Sequence, residues 1–213
     1  MSKLPLCAAI DVDLTLTSGM ECKWWEWMFL MLGYIPEVYP HGRTTLDYDL
    51  SKEIRDLGYS VKDLKPDDFW KQRDLYDDSI LPQEGSIEAL EYLKSWGLKI
   101  CFVTHVEGDH SKSKFKWCKK HYPFMDAFIP TREKWYGLPF LLIDDRHKHL
   151  NTCSFLPTEH RFLRHTPFRQ EVELDRGLEF EDWNEFIIMC KSDTIQESWL
   201  NLKSKLEKVY LGG

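Results

Sequence analysis

Apolar residues fall along this chain in two rhythms. Short unbroken runs at "LCAAIDV" (6–12), "LKICFVT" (98–104), "AFI" (127–129) and "FLLID" (140–144) have the length and composition of strands buried on both faces. Between them the period becomes helical. "GSIEALEYLKSWG" sets Ile87, Leu90 and Leu93 on one face and stops at Gly97, while "SKSKFKWCKKHY" spaces Phe115, Cys118 and Tyr122 along another, with lysines elsewhere. Strands alternating with helices predict βαβ units, and hence an α/β fold with a Rossmann-like parallel sheet covered on both faces.

Residues 19–80 break that rhythm. "ECKWWEWMFLMLG", a Pro/Tyr/Gly-rich turn region, "DLSKEIRDLG" and "KPDDFWKQRDLY" predict helices and no strand. The expected organisation is a core of residues 1–18 and 81–213, with a helical cap of residues 19–80 inserted after the first strand. Trp24, Trp25, Trp27, Phe29, Phe69, Trp70 and Tyr76 all lie in this insertion and read first as the cap's own core. Near the C-terminus, "TIQESWLNLKSKLEKVYL" opens with a capping-box pattern, Thr194 to Glu197. The stripe Ile195, Trp199, Leu202, Leu206, Val209 is expected to pack on the body of the protein; packing on a second copy leaves a homodimer open.

The 213 residues suit one α/β domain with an insertion better than two full domains. Twenty-eight basic against 35 acidic residues give a net charge of −7, which argues against a protein held mainly by nucleic-acid phosphates. Six scattered cysteines without a C-x-x-C pair read as reduced thiols. "WWEWMFLMLGYI" is too short to span a bilayer, and only "MSK" precedes the first apolar run. A cytoplasmic protein without membrane contact is the expectation.

In an open parallel sheet, ligands bind beyond the carboxyl ends of the strands. Those ends carry Asp11 and Asp13, Thr104 followed by His105, and the pair Asp144–Asp145; "PTREKWYG" adds Arg132 and Lys134 just upstream. If the ends converge, four carboxylates repel in a partly dehydrated site. A hard divalent cation offsets this, and oxygen-only ligands suit Mg²⁺. Lys134 would then face a phosphate, and Thr104 would supply a hydroxyl. In D-x-D, alternation turns both carboxylates to one side, so one can attack phosphorus while the other carries the proton. Each element alone is ordinary, since acidic residues after strands often cap turns. Their placement at successive strand ends is the signal.

These residues resemble the four motifs of the haloacid dehalogenase superfamily of phosphotransferases: D-x-D-x-T from Asp11 to Thr15, Thr104 at a strand end, Lys134, and the acidic pair Asp144–Asp145. Within it the chain most resembles the 5′(3′)-deoxyribonucleotidases, through "GSIEALEYL", "ICFVTH", "KFKWCKKHY", "PTREKWYGLPFLLIDDR" and "FEDWNEFI". The resemblance implies that Asp11 is the nucleophile and forms an aspartyl-phosphate, and that Asp13 is the general acid and base. It further implies Mg²⁺ on the Asp11 carboxylate, the Asp13 carbonyl and Asp145, with Asp144 one shell out. Thr104, His105, Arg132 and Lys134 would lie about the phosphate and substrate, with Trp70 and Tyr76 as candidate grips on the base. Two positions depart from the pattern: Leu14, where the superfamily usually has Gly, and His105, where the nucleotidases often have Ser.

The leading expectation is therefore a Mg²⁺-dependent phosphatase of nucleoside monophosphates, with the insertion as a lid. The alternatives are a superfamily phosphatase of a sugar phosphate or a nucleic-acid 3′-phosphate, and a non-catalytic nucleotide-binding member. Loss of Asp11 or Asp13 would mark the last, and both are present.

Overall fold

The structure, a computed structural model, describes residues 6–31, 67–137 and 139–211, with isolated positions 33, 52, 55, 56, 58 and 60 between the first two stretches. The chain enters through β1 (Cys7–Ile10), then makes the short β2 (Thr17–Ser18), helix α1 (Met20–Met31), the one-turn α2 (Asp67–Trp70) and β3 (Leu81–Pro82). The core continues as α3 (Ser86–Ser95), β4 (Lys99–Thr104), α4 (Ser111–His121), β5 (Ala127–Pro130), β6 (Leu141–Asp144) and α5 (His147–Thr152). It closes with β7 (Arg161–Arg164), β8 (Leu178–Phe180), α6 (Trp183–Cys190) and α7 (Asp193–Leu211).

Six strands form one sheet in the order β5–β4–β1–β6–β7–β8, with every pairing parallel. Alternation along β1 divides the core: Ala8 and Ile10 join the larger cluster on one face, Cys7 and Ala9 the smaller cluster on the other. The sequence predicts β1, β4, β5 and β6 but not β7 and β8. "RFLR" hides its strand because Arg161, polar in any hydropathy reading, is fully buried, and "LEF" is three residues with a charge in the middle.

The insertion leaves and returns through a two-stranded antiparallel ribbon, in which Thr17 pairs with Pro82 and Ser18 with Leu81. Trp24, Trp25, Phe29 and Phe69 are buried beside it, and Trp27 and Trp70 partly so. The expected helix over "DLSKEIRDLG" and the turn region before it lie outside the described residues.

Helix α7 begins at Asp193, two residues before Ile195, where the capping-box pattern with Thr194 as N-cap would start it. Ile195 and Trp199 are buried, and Leu202 and Leu206 pack against the same cluster, so this stripe lies on the body; the side chain of Val209 is outside the described residues. On α4, Cys118 and Tyr122 are buried as expected, but Phe115 is 42% exposed and Lys114 takes the inward place. All six cysteines are free. Among the described residues, no helix is long and apolar enough to cross a membrane.

Candidate active site

Because β1 lies between β4 and β6 in parallel register, the residues that follow all three strands emerge at one edge. Asp11 comes directly after β1, with its N–H donated to the Ile143 carbonyl at 2.9 Å. Asp144 ends β6 and Asp145 follows it. Oxygens of the Asp11, Asp144 and Asp145 carboxylates lie within 4.8 Å of one another, and all three residues are buried.

Lys134, in the 3₁₀ turn Lys134–Gly137 after β5, is 1% exposed and reaches into this cluster. Its ammonium donates to Asp11 Oδ1 and, at 2.7 Å, to the Val103 carbonyl, and lies 3.3 Å from Asp144 Oδ2. Burial opposes the charge on Lys134, but Asp11 and Asp144 outweigh it and hold the ammonium above its ordinary pKa. The mirror case is Asp144. Burial opposes its charge too, yet Lys134 and His149 keep its carboxyl well below the usual range. His149 Nδ1 is 2.9 Å from Asp144 Oδ1, and the Arg146 N–H donates to the same oxygen at 3.0 Å. Asp145 Oδ1 accepts the Thr15 hydroxyl at 3.3 Å.

Asp13 opens a tight turn, in which the Thr15 N–H meets the Asp13 carbonyl at 2.6 Å and the Leu16 N–H meets Val12 at 2.9 Å. Leu14 adopts φ +60°, the left-handed conformation that glycine takes without penalty and that costs a branched side chain about 1–2 kcal/mol. The Thr17 hydroxyl accepts the Leu14 N–H at 2.9 Å and pins the turn. The Asp13 carboxylate is gripped from two sides, by the Tyr76 hydroxyl on Oδ1 and by the Lys114 ammonium on Oδ2 at 2.6 Å. Lys114 is fully buried and also donates to Thr104 Oγ1 at 3.2 Å and to the His105 carbonyl at 2.6 Å. Burial pushes the Asp13 carboxyl up, with Lys114 pulling the other way and Asp11 adding to the rise.

A cavity of about 270 Å³ lies over these groups. Asp11, Asp13, Lys134 and Asp145 form its floor; Leu14, Trp24 and Trp70 form an apolar wall; His105, Glu107, His110, Arg146 and His149 complete it. Of the predicted residues, Thr104 sits behind the floor, with its hydroxyl against Lys114. Arg132 lies at the outer edge, where it donates to Glu107 at 2.6 Å beside the His105 ring. Trp70 lies on the cavity wall. Tyr76 does not: its ring stacks on His110 at 6.2 Å, meets Trp117 edge-on, and turns its hydroxyl to Asp13. Its hydroxyl meets the acidic turn, and its ring is not part of the cavity lining.

Sequence reasoning misses Lys114, His110 and His149. Lys114 had a legible signal, since it precedes Trp117 and Cys118 by three and four residues and so shares their buried face. Reading every lysine of that helix as solvent-facing concealed it.

No protein-family model matches the sequence, and no curated protein does. Solved structures do match. A putative β-phosphoglucomutase from Thermotoga maritima superposes with TM-score 0.57 at 12% identity, over 87% of this chain and 98% of its own. A predicted phosphoglycolate phosphatase from Haemophilus somnus gives 0.57 at 11% identity, over 90% of this chain and 100% of its own. The putative haloacid dehalogenase-type hydrolase YfnB from Bacillus subtilis, bound to magnesium, gives 0.56 at 13%, over 89% and 100%. At such identities the likeness is one of fold, and it is consistent throughout: this chain has the α/β fold of the haloacid dehalogenase-like hydrolases, with a buried aspartate cluster at the carboxyl edge of its sheet.

Proposed function

We propose that the protein is a Mg²⁺-dependent phosphatase of nucleoside 5′-monophosphates, deoxyribonucleotides first, acting through an aspartyl-phosphate on Asp11. Residues 1–18 and 81–213 form its catalytic core and residues 19–80 its cap. One observation carries the reading: two aspartates two residues apart are each paired with their own buried lysine and belong to different groups. Asp11 lies with Asp144 and Asp145 against Lys134, while Asp13 is held outside that cluster by Lys114 and the Tyr76 hydroxyl, in a setting that pushes its carboxyl up. A carboxylate in the acidic cluster suits the nucleophile, and a neighbour with a raised pKa suits the proton carrier.

The oxygen donors of Asp11, Asp144 and Asp145 suit a hard cation. Asp11, Asp145 and the Asp13 carbonyl would hold Mg²⁺, with Asp144 behind them because its Oδ1 is taken by His149 and the Arg146 N–H. When bound, the ion offsets the carboxylate charge and draws electron density from the phosphoryl oxygens. An Asp11 oxygen attacks phosphorus, the bond to the ester oxygen breaks, and the Asp13 proton passes to the departing alkoxide. Asp13, now a carboxylate, takes a proton from water as that water attacks the same phosphorus. The phosphoryl bond to Asp11 then breaks and inorganic phosphate leaves. Lys134 offsets the phosphoryl charge, His105 borders the phosphate, Thr104 supports Lys114 from behind the floor, and Lys114 and Tyr76 hold Asp13 in line.

Trp24 and Trp70 on the wall support a substrate with an aromatic base. A sugar phosphate is the second reading, favoured by the polar rim of His105, Glu107 and Arg132 and by the likeness in fold to the putative β-phosphoglucomutase. A phosphate-release screen separates them, run with Mg²⁺ over nucleoside monophosphates, sugar phosphates and a 3′-phosphorylated oligonucleotide. The expected result is the highest kcat/KM on a nucleoside monophosphate, with activity lost on chelation. A higher value on a sugar phosphate reassigns the substrate, and no release from any of them overturns the proposal.

A further inference from the structure

The wall of the cavity holds an acceptor that the proposed mechanism does not use. His110 ends the 3₁₀ turn Gly108–His110, just before α4, and is 2% exposed. Its Nδ1 faces the Trp70 carbonyl. A carbonyl only accepts, so Nδ1 carries the ring proton. Burial, reinforced by the Lys114 ammonium, holds the imidazole below its ordinary pKa and so neutral, against the pull of Asp13 and the Trp70 and Glu107 carbonyls. With Nδ1 protonated, Nε2 bears a lone pair, and it is buried without a hydrogen-bond partner among the described residues. The ring also stacks on Tyr76, 22° from parallel, which orients it together with the Trp70 carbonyl. Buried polar groups in native proteins are nearly always paired, so an orphaned acceptor on a cavity wall marks a place for a donor from outside.

We infer that His110 determines specificity: its Nε2 accepts a hydrogen bond from a hydroxyl or N–H on the alcohol part of the phosphate ester. The inference rests on the phosphatase reading. Trp24, which also lines the cavity, has in Nε1 a buried donor likewise without a partner among the described residues, so hydroxyl and N–H groups suit this lining. Nucleosides and sugars carry such groups; a simple aryl phosphate does not. The same preorganisation makes the wall selective, because a ligand without the donor leaves Nε2 unpaired in the closed complex.

The test compares kcat/KM for thymidine 5′-monophosphate, ribose 5-phosphate and p-nitrophenyl phosphate in the wild type and in His110→Asn. Asparagine retains an N–H for the Trp70 carbonyl but does not extend to the Nε2 position. Relative to p-nitrophenyl phosphate, the preference for a donor-bearing substrate should fall about 3- to 10-fold. A fall on both such substrates assigns the donor to a hydroxyl, and a fall on the nucleotide alone assigns it to the base N–H. Losses that are equal on all three substrates mean a structural role and overturn the inference. If the variant does not fold, the wild type decides. N3-methylation or 3′-deoxygenation of thymidine monophosphate should cost the same factor, and no loss from either overturns the inference. No release of phosphate from any substrate by the wild type defeats the phosphatase reading and this inference with it.

Discussion

The floor and the wall of the cavity are built on opposite principles. At the floor and beneath it, two buried lysines each bridge several groups: Lys134 serves Asp11, Asp144 and a carbonyl, and Lys114 serves Asp13, Thr104 and a carbonyl. On the wall, Trp24 Nε1 and His110 Nε2 are buried without a hydrogen-bond partner among the described residues. The floor stands at strand ends of a parallel sheet, whose register fixes where its charges lie. The wall draws on the turn after β1, the insertion and the loop after β4. A floor of paired charges suits groups common to every phosphomonoester, and a wall with neutral groups left to pair suits groups that differ between substrates. The difference assigns chemistry to one region and selection to the other.

The largest effect is expected from removing a floor contact. Lys114→Met deprives Asp13 of its buried cation, so kcat should fall by about 10²- to 10³-fold at neutral pH on every substrate alike. Lys114 opposes the upward push of burial on the Asp13 carboxyl, so its loss lets that pKa rise further. Hydrolysis of the phosphoenzyme needs Asp13 as carboxylate, and the acid limb of the kcat profile should therefore move to higher pH. An unmoved profile would remove Asp13 from the proton-carrying role.

Two aromatic residues close in sequence sharpen the contrast. Tyr76→Phe keeps the ring against His110 and Trp117 but loses the hydroxyl on Asp13. It should slow all substrates by about tenfold or more. Trp70→Ala should instead act on the wall. Base stacking contributes about 1–3 kcal/mol, so kcat/KM for nucleotides should fall by about 5- to 150-fold, with p-nitrophenyl phosphate affected much less. Equal losses on both substrates in the Trp70 variant would make Trp70 core and leave the wall without its selecting role.

The smallest effect concerns stability. His149, beside Asp144, has its pKa raised in the folded protein: burial opposes the charge, but the pairing with Asp144 outweighs it. A raised histidine stabilises fully below its ordinary value of 6.5 and loses that contribution as pH rises through the folded value. In chelator, the excess of wild-type Tm over His149→Gln should therefore shrink from about pH 6 to about pH 9. A gap that stays constant or widens would show that the pair does not hold a charged imidazole.

The floor was the more legible of the two regions. Asp11, Asp13, Lys134, Asp144 and Asp145 all follow predicted strands, and parallel topology brings strand ends together whatever the details of packing. The burial of Lys114 was legible from its helical spacing to Trp117 and Cys118, but its partners Asp13 and Thr104 come from other elements and no local pattern displays them. The strand that buries Arg161 was missed because its polarity conceals its burial. Tyr76 was singled out for its aromatic ring, yet its hydroxyl reaches Asp13 across 63 residues of sequence, a pairing that only the fold creates. Leu14 was visible as a departure from the glycine pattern, and the structure gives the departure a meaning: a left-handed turn held by Thr17, with the side chain forming part of the wall.

The central claim is that Asp11 takes the phosphoryl group. Rapid acid quench of the protein turning over a deoxynucleoside monophosphate with Mg²⁺, followed by peptide mass spectrometry, tests it directly. The account predicts one phosphoryl group on the peptide that carries Asp11, and neither label nor turnover in Asp11→Asn. Turnover without label on that peptide, or substantial activity in Asp11→Asn, would contradict it.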